Sequence, residues 1–158
     1  MDIQQAEYVV FDVETTGLSA QGGDRIVEIA AVRFKDRTII DSFDSLINPQ
    51  RDIPKEAQRV HNISEEMLVD APTSNEVLPK VIDFIGGACL VGHNVKFDLN
   101  FLCFELSLIG RRIKEETPSI DTLKMARALL PHLTNFKLNH VAHSIGVKVE
   151  ETHRALAD

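Results

Sequence analysis

The sequence predicts one three-layer α/β domain built on a five-stranded mixed sheet. Short apolar runs rich in Val, Ile and Phe indicate strands, and the first three follow one another with short connections. Further along the chain, two shorter apolar runs alternate with segments of helical periodicity. The 158 residues are enough for one domain with a substantial core, and no repeat, low-complexity tract or linker divides them.

The first third of the chain predicts an antiparallel meander. We expect its strands at residues 7–13, 25–34 and 38–47. The short turn Lys35-Asp36-Arg37 favours antiparallel pairing, and Asn48-Pro49 ends the meander. Residues 49–72 contain scattered prolines and short polar stretches, with one helical turn expected from residue 55 to residue 60.

The remaining elements are helices that alternate with two short strands. Thr73 and Glu76 have the spacing of a capping box and begin a helix that Gly86-Gly87 ends. Pro79 lies inside this helix and predicts a local kink or a later helix start. We then expect a strand at 88–92, a helix at 96–109, a strand at 117–120, and helices at 121–130, 137–145 and from about residue 153.

Several side chains are expected to have structural roles. An apolar stripe at helical spacing predicts a core face, formed by Phe97, Phe101, Phe104 and Leu108. We expect Asp121 to cap a helix. Glu28 has two alternatives, a contact at the periphery of the site or an outward-facing position at an edge, and we expect the second. His140 and His143 are predicted to lie on or beside the surface. Cys89 and Cys103 both lie among apolar residues and are predicted to be buried, reduced thiols.

The overall composition is typical of a soluble globular protein, with 44% hydrophobic and 26% charged residues. No apolar stretch approaches the roughly 20 residues that span a bilayer. Residues 1–7 lack the basic region and the apolar segment of a signal peptide. We therefore expect a cytoplasmic protein without membrane contact.

Two carboxylates follow the apolar run at residues 8–11. Asp12 and Glu14 are two positions apart, and residues at this spacing face the same side of a strand. Their mutual repulsion at the end of an apolar strand is costly unless a cation neutralises it. Gly17, three residues later, allows the backbone to approach a ligand closely, and Leu18 presents an apolar surface to a base.

Two further blocks contain acids and histidines. The block Gly92-His93-Asn94-Val95-Lys96-Phe97-Asp98 lies where a strand meets a helix, which is a usual place for function in α/β sheets. The block His153-Arg154-Ala155-Leu156-Ala157-Asp158 places a histidine five residues before an acid. Taken singly, each block has an ordinary explanation, such as a solvated turn or an acid in the first turn of a helix. Together, in this order, they indicate a two-metal phosphodiesterase.

The three blocks resemble the DEDDh family of 3′→5′ exonucleases, and the resemblance covers essentially the whole chain. It implies a ribonuclease-H-like fold and a site for two Mg²⁺ or Mn²⁺ ions. In that family, Asp12, Glu14 and Asp158 would hold the ions, and Asp98 would act largely through bound water. His153 would be the general base. Carboxylate-only ligation independently favours Mg²⁺ or Mn²⁺ over Zn²⁺.

The resemblance also implies a substrate and partners. We expect release of 5′-mononucleotides from single-stranded 3′ ends of DNA during proofreading or repair, in association with a DNA polymerase subunit. Candidate substrate contacts are Thr16, Leu18, Asn94 and His61. Two alternatives remain open. One is an exoribonuclease that trims RNA on the same fold, and the other is a catalytically silent domain that binds a polymerase or nucleic acid.

The net charge of −7 is unusual for a protein that binds an extended duplex. Two divalent cations would add four positive charges, which moves −7 to about −3 and reverses the sign where a phosphate docks. The charge therefore favours an enzyme that holds a few terminal nucleotides. Because the family continues its last helix beyond the final acid, we expect residues 1–158 to be a single exonuclease domain that lacks the end of this helix.

Overall fold

The computed structural model describes residues 6–147. Within this range, the strands form one mixed sheet in the order β3-β2-β1-β4-β5. The strands are β1 (Tyr8–Thr15), β2 (Ile26–Lys35), β3 (Thr38–Leu46), β4 (Cys89–Gly92) and β5 (Ser119–Asp121). The five-stranded mixed sheet is therefore confirmed.

The first three strands form the predicted antiparallel meander. Strand β1 pairs with β2 from Tyr8 opposite Phe34 to Thr15 opposite Ile26. Strand β2 pairs with β3 along nearly its whole length, and the turn between them places Asp36 and Arg37 at φ of 50° and 64°. Two successive residues of positive φ are typical of the tight turns that match the twist of a β-hairpin.

The other half of the sheet is parallel. Strand β4 is buried throughout and pairs with β1 only from Tyr8 opposite Cys89 to Val10 opposite Val91. Strand β5 pairs with β4 on its other side. Because β4 is much shorter than β1, the last residues of β1 extend past the end of its parallel neighbour. This extension is the part of the sheet that carries Asp12 and Glu14.

Helices cover the sheet and fill its connections. They are α1 (Lys55–His61), α2 (Glu65–Leu68), α3 (Ser74–Ile85), α4 (Lys96–Leu108), α5 (Thr122–Leu129) and α6 (Leu138–Ser144). The sequence did not predict α2, because a helix of four residues is too short to show helical periodicity. None of the helices within residues 6–147 combines the length and apolar character needed to span a bilayer.

The main core lies between the sheet and the helices α3 and α4. Its members include Val9, Phe11 and Val13 of β1, together with Leu78 and Phe101. A second, smaller cluster lies beneath the segment that contains α1 and α2, and it consists of Val27, Ile53, Ile63 and Leu68. This second cluster holds α1 beside the end of β1.

Helix α3 begins as predicted with a capping box. The Glu76 carboxylate accepts hydrogen bonds from the backbone N–H of Thr73 at 2.8 Å and from its hydroxyl at 2.9 Å. The helix starts at Ser74 and continues through Pro79, so the alternative of a later start is wrong. It ends at Gly86, whose φ is 52°.

Helix α4 differs from the prediction in the face that it buries. Phe101 is buried as expected, but Leu108 is 55% exposed. The buried face instead includes two acids, Asp98 and Glu105. These acids can face the sheet because hydrogen-bond donors of β1 and β2 meet them there.

Some smaller predictions have mixed outcomes. His140 and His143 are exposed as expected. Both cysteines are free thiols, but only Cys89 is buried, whereas Cys103 is exposed on the outer side of α4.

Replacement of Glu76 by Ala should lower the free energy of unfolding at neutral pH, because the carboxylate that accepts both hydrogen bonds from Thr73 in the capping box is lost. The hydrogen bonds from Thr73 lower the pKa of Glu76. A lowered folded pKa means that this stabilisation is present at neutral pH and is lost as the pH falls through that pKa. Urea unfolding of both proteins at neutral pH and near pH 3 measures the effect, and an unchanged difference between them at the two pH values would contradict it.

Candidate active site

The first predicted block lies at the end of β1. Asp12 and Glu14 are partly exposed and alternate with Phe11 and Val13, which are buried on the opposite face. The two carboxylates therefore share one face of the strand, as their spacing predicts. The core on one side fixes the direction in which both acids project on the other.

Glu28 is a third acid on this face. It lies directly opposite Glu14 in the antiparallel pairing of β1 and β2, and directly opposed residues point to the same side. Glu28 is buried, so the expectation that it faces outwards from an edge is wrong. The reason is that β2 lies between β1 and β3 and is not an edge strand.

Asp98 connects the second block to the first. Its Oδ1 accepts a hydrogen bond of 3.2 Å from the backbone N–H of Val13, and its carboxyl group is also hydrogen-bonded to the side chain of Asp12. Asp98 lies in the first turn of α4 and is buried. The fold thus brings together two acids that are far apart in the sequence.

The environment of Asp98 opposes its ionisation. Burial raises the pKa of Asp98 from 3.8 to about 7, and the negative charge of Asp121 acts in the same direction. A hydrogen bond between two carboxyl groups requires a proton on one of them. A divalent cation held between such acids replaces that proton, so the donor set and its environment fit a metal site.

The described residues do not complete the predicted ligand set. Among residues 6–147 there is no group of three or more His, Cys, Asp and Glu side chains that could hold a metal ion. Asp12 and Asp98 are in contact, and Glu14 shares the strand face of Asp12. Asp158 and His153, together with the helix expected from about residue 153, lie outside the described residues.

A cavity of about 580 Å³ lies beside these acids. It is bounded by the end of β1, the following loop and helix α1. Its lining residues are Val13, Glu14, Thr15, Thr16, Gly17, Leu18, Asp24, Pro54, Glu56, Ala57, Val60, His61 and Phe97. Three of the four predicted substrate contacts, Thr16, Leu18 and His61, are therefore on its wall.

These three residues differ in what they offer to a ligand. Leu18 is 86% exposed and presents its whole side chain at the rim. Thr16 is buried, and its hydroxyl donates to Asp24 Oδ1 at 3.2 Å while it accepts from the backbone N–H of Arg25 at 3.0 Å. The hydroxyl of Thr16 is thus engaged within the loop.

His61 is buried at the end of α1. Its Nδ1 accepts a hydrogen bond of 3.0 Å from the backbone N–H of Ile63. In a neutral ring this acceptor role places the proton on Nε2. The contact also fixes the orientation of the imidazole at the cavity.

Asn94 does not line the cavity in the described structure. It adopts a φ of 69°, and its backbone N–H donates to Asp121 Oδ1 at 3.1 Å. Asp121 also accepts from the backbone N–H groups of Leu123 and Lys124, which confirms its predicted role as the cap of α5. Asn94 therefore belongs to the turn that connects β4 to α4 and α5.

Both ring nitrogens of His93 are hydrogen-bonded within the fold. Its Nδ1 lies 3.0 Å from Thr122 Oγ1, and its Nε2 donates to the carbonyl oxygen of Phe136 at 2.7 Å. The imidazole joins the turn after β4 to α5 and to the segment that leads into α6.

Asp24 is a residue of this site that the sequence did not indicate. Its carboxylate accepts from the Thr16 hydroxyl and from the backbone N–H of Ser19 at 3.0 Å, and Arg51 donates to it at 3.3 Å. A Cβ atom at Gly17 would lie 2.6 Å from Asp24 Oδ1, so any larger residue there would displace this carboxylate from its hydrogen bonds. The run of small and polar residues after Glu14 was the only signal in the sequence, and it did not identify the partner.

A family model described as an exonuclease, RNase T, matches residues 9–158. The DNA polymerase III PolC-type of Clostridium perfringens is 43% identical over 152 residues, which cover 96% of this chain and 10% of that protein. The corresponding protein of Bacillus subtilis is 38% identical over 156 residues, which cover 99% of this chain and 11% of that protein. The chain thus spans about a tenth of the length of these curated relatives.

Solved structures with this fold include two nucleases. The zinc-bound complex of Escherichia coli exonuclease I with single-stranded DNA has a TM-score of 0.84 at 20% identity, and the match covers 98% of this chain and 38% of that one. Exonuclease X in complex with 5′ overhanging duplex DNA has a TM-score of 0.71 at 29% identity, covering 95% of this chain and 82% of that one. These similarities confirm the predicted ribonuclease-H-like fold.

Replacement of Asp98 by Asn should stabilise the metal-free protein above neutral pH. The folded pKa of about 7 exceeds the ordinary value of 3.8, so the wild-type protein loses stability as the pH rises through this interval. Asn keeps an oxygen that can accept from Val13 and cannot ionise. We expect a gain on the order of 2–4 kcal/mol near pH 8 that shrinks towards zero near pH 4. Urea unfolding in the presence of a chelator measures it, with the exposed-site variant Asp83→Asn as control. A gain of equal size at both pH values would refute the assignment.

Replacement of Gly17 by Ala should destabilise the protein by about 1–3 kcal/mol, because the new methyl group meets the Asp24 carboxylate. The matched control is Gly87→Ala, where no atom lies within 4 Å of the added Cβ, and it should change stability by less than about 0.5 kcal/mol. Thermal unfolding compares the two variants. Equal effects would show that the contact between Gly17 and Asp24 does not constrain the loop.

Proposed function

Because this chain belongs to the RNase T exonuclease family, we propose that it is a metal-dependent 3′→5′ exonuclease domain that acts on DNA. The observation that carries this proposal is the contact of Asp98 with Asp12 and with the backbone of Val13, beside a cavity large enough for a small ligand. DNA is favoured as substrate because the similar solved structures hold single-stranded DNA or duplex DNA with a 5′ overhang.

The proposed metal ligands are Asp12, Glu14, Asp98 and, by resemblance, Asp158. Carboxylate oxygens suit Mg²⁺ or Mn²⁺, and the zinc ion in one similar complex supports a site for divalent cations. When bound, two such ions supply a hydroxide nucleophile at neutral pH and stabilise the charge that develops on the leaving 3′ oxygen.

The protein residues orient the reacting groups. The N–H of Val13 holds the Asp98 carboxylate towards β1, so that Asp98 and Asp12 present their oxygens together. His153 is the proposed general base, because a neutral imidazole with a pKa near 6.5 can accept a proton from water at physiological pH. His153 would thus accept the proton, and the acids would hold the ions that stabilise the developing charge.

The cavity is the proposed binding site of the 3′-terminal nucleotide. Leu18 at its rim, with Val60 and Phe97 on its wall, offers apolar surface to a base. Pockets that hold small ligands have volumes of roughly 300–1,000 Å³, so about 580 Å³ is sufficient for one nucleotide. His61 completes the wall and is the proposed polar contact.

The biological setting proposed for this activity is proofreading or repair beside a DNA polymerase. The relatives named DNA polymerase III PolC-type support such a partner. The net charge of −7 favours contact with a few terminal nucleotides over extended binding of a duplex. RNA is the alternative substrate, and the DNA complexes among the similar structures favour DNA over it.

The test is hydrolysis of 5′-labelled oligonucleotides with Mg²⁺ or Mn²⁺. We expect stepwise shortening of single-stranded DNA from a free 3′-hydroxyl, slower shortening of RNA, and strong suppression by a 3′-phosphate. Efficient cutting of a circular single strand would establish an endonuclease and overturn the proposal. Preference for RNA would instead establish the exoribonuclease.

Asp12→Ala should abolish this hydrolysis while leaving the fold intact. We expect an activity loss of more than about 10²-fold, since even outer contacts of metal sites contribute up to that factor. Without metal, the free energy of unfolding should hold or rise, because removing one of several clustered carboxylates relieves repulsion that outweighs the lost hydrogen bond to Asp98. The exposed acid Asp83 provides the control variant Asp83→Ala. Near-normal activity of Asp12→Ala would exclude Asp12 as a metal ligand.

A further inference from the structure

Glu105 is a fully buried acid in the last turn of α4, with 0% of its side chain exposed. Its carboxylate accepts from Arg25 Nε at 2.7 Å and from Arg25 Nη2 at 2.6 Å. The backbone N–H of Ile26 donates to the same group at 3.1 Å. Both oxygens are thus held in a bidentate geometry at the point where β2 begins.

Arg25 also closes the loop that carries Leu18. The backbone N–H of Thr16 donates to the carbonyl oxygen of Arg25 at 2.9 Å, and the N–H of Arg25 returns a hydrogen bond to the Thr16 hydroxyl. Through Asp24, the same hydroxyl is linked to the backbone of Ser19. A continuous series of polar contacts therefore runs from the interior of α4 to the rim of the cavity.

This series spans the proposed nucleotide site. Phe97 and Asp98 lie two helical turns before Glu105, about 10 Å along the axis of α4. Phe97 is on one wall of the cavity, and Leu18 is on the loop at its rim. The contact between Arg25 and Glu105 thus fixes the distance between α4, which carries Phe97, and the loop that carries Leu18.

We propose that the Arg25–Glu105 pair is a positioning device that sets the spacing between α4 and the loop of residues 16–25, and so determines how firmly the terminal nucleotide is held. The proposal rests on the proposed function for the identity of the ligand. Stability alone does not account for the pair, because buried ion pairs are often replaced by apolar residues without loss of stability. Two parallel hydrogen bonds fix the relative orientation of the groups that they join. They therefore prevent the helix and the loop from sliding or rotating against each other, which apolar packing permits.

The chain offers a second pair of an arginine and a glutamate away from the cavity, in which the acid is 38% exposed. Arg33 donates to Glu7 at 2.7 Å and to the carbonyl oxygen of Phe84, and its guanidinium lies over the Phe84 ring. The pair joins β2 to the residue that precedes β1, and the contact with Phe84 joins β2 to the end of α3. Glu7→Gln therefore removes a more exposed ion pair of an arginine and a glutamate, without a contact to the loop or to α4.

The experiment compares Glu105→Gln with Glu7→Gln. In metal-free protein without DNA, we expect amide hydrogen exchange of residues 16–25 to accelerate about tenfold or more in Glu105→Gln only. With metal and single-stranded DNA, KM should rise about tenfold in this variant while kcat changes less than about threefold. Glu7→Gln should show neither change. Unaltered exchange of residues 16–25 in Glu105→Gln, or an equal rise of KM in Glu7→Gln, would overturn the proposal.

A double variant, Arg25→Met with Glu105→Leu, distinguishes the effect of the ion pair on the position of the loop from its effect on the free energy of unfolding. An apolar pair should restore the free energy of unfolding, so this protein remains testable if Glu105→Gln does not fold. We expect its loop exchange and its KM to stay raised. Wild-type exchange and KM in the stable double variant would show that the ion pair is only structural. If the wild-type protein hydrolyses no nucleic acid, the proposed function fails, and the exchange measurement still decides the role of the pair.

Discussion

The hydrogen bond from the backbone N–H of Val13 to the carboxylate of Asp98 connects the sheet to the helix that completes the site. It exists because the pairing of β1 with β4 ends at Val10 opposite Val91, so the last residues of β1 extend past their parallel neighbour. A buried N–H at such a position requires an acceptor, and the first turn of α4 provides one. The acceptor is an acid, and the same contact therefore places a carboxylate beside Asp12.

Helix α4 buries two acids whose charges are compensated in different ways. Glu105 meets the guanidinium of Arg25, so its charge is balanced within the protein. Asp98 accepts from a backbone N–H, and burial raises its pKa to about 7. The first arrangement stabilises the folded protein without a ligand, whereas the second leaves a demand for positive charge.

The sequence predicted those features that depend on local spacing. The meander followed from apolar runs and short turns, the cap of α3 from Thr73 and Glu76, and the shared face of Asp12 and Glu14 from the period of a strand. The buried face of α4 was not predictable, because it depends on donors supplied by distant strands. The burial of Glu28 was missed for the same reason, since only the register with β1 places it opposite Glu14. The third block lies outside the described residues, so its part in the site stays a prediction.

The contact between Val13 and Asp98 also has a consequence for the order of folding. It joins residues 85 positions apart, whereas the pairing of β1 with β2 and of β2 with β3 is local. Closing a long loop lowers the chain entropy before the contacts that it brings together can stabilise the protein. Long-range parallel pairing is therefore expected late in folding. The meander can therefore form while the acids of β1 and α4 are still apart. Incomplete or newly made chains would then lack the proposed nuclease site until α4 has packed against β1.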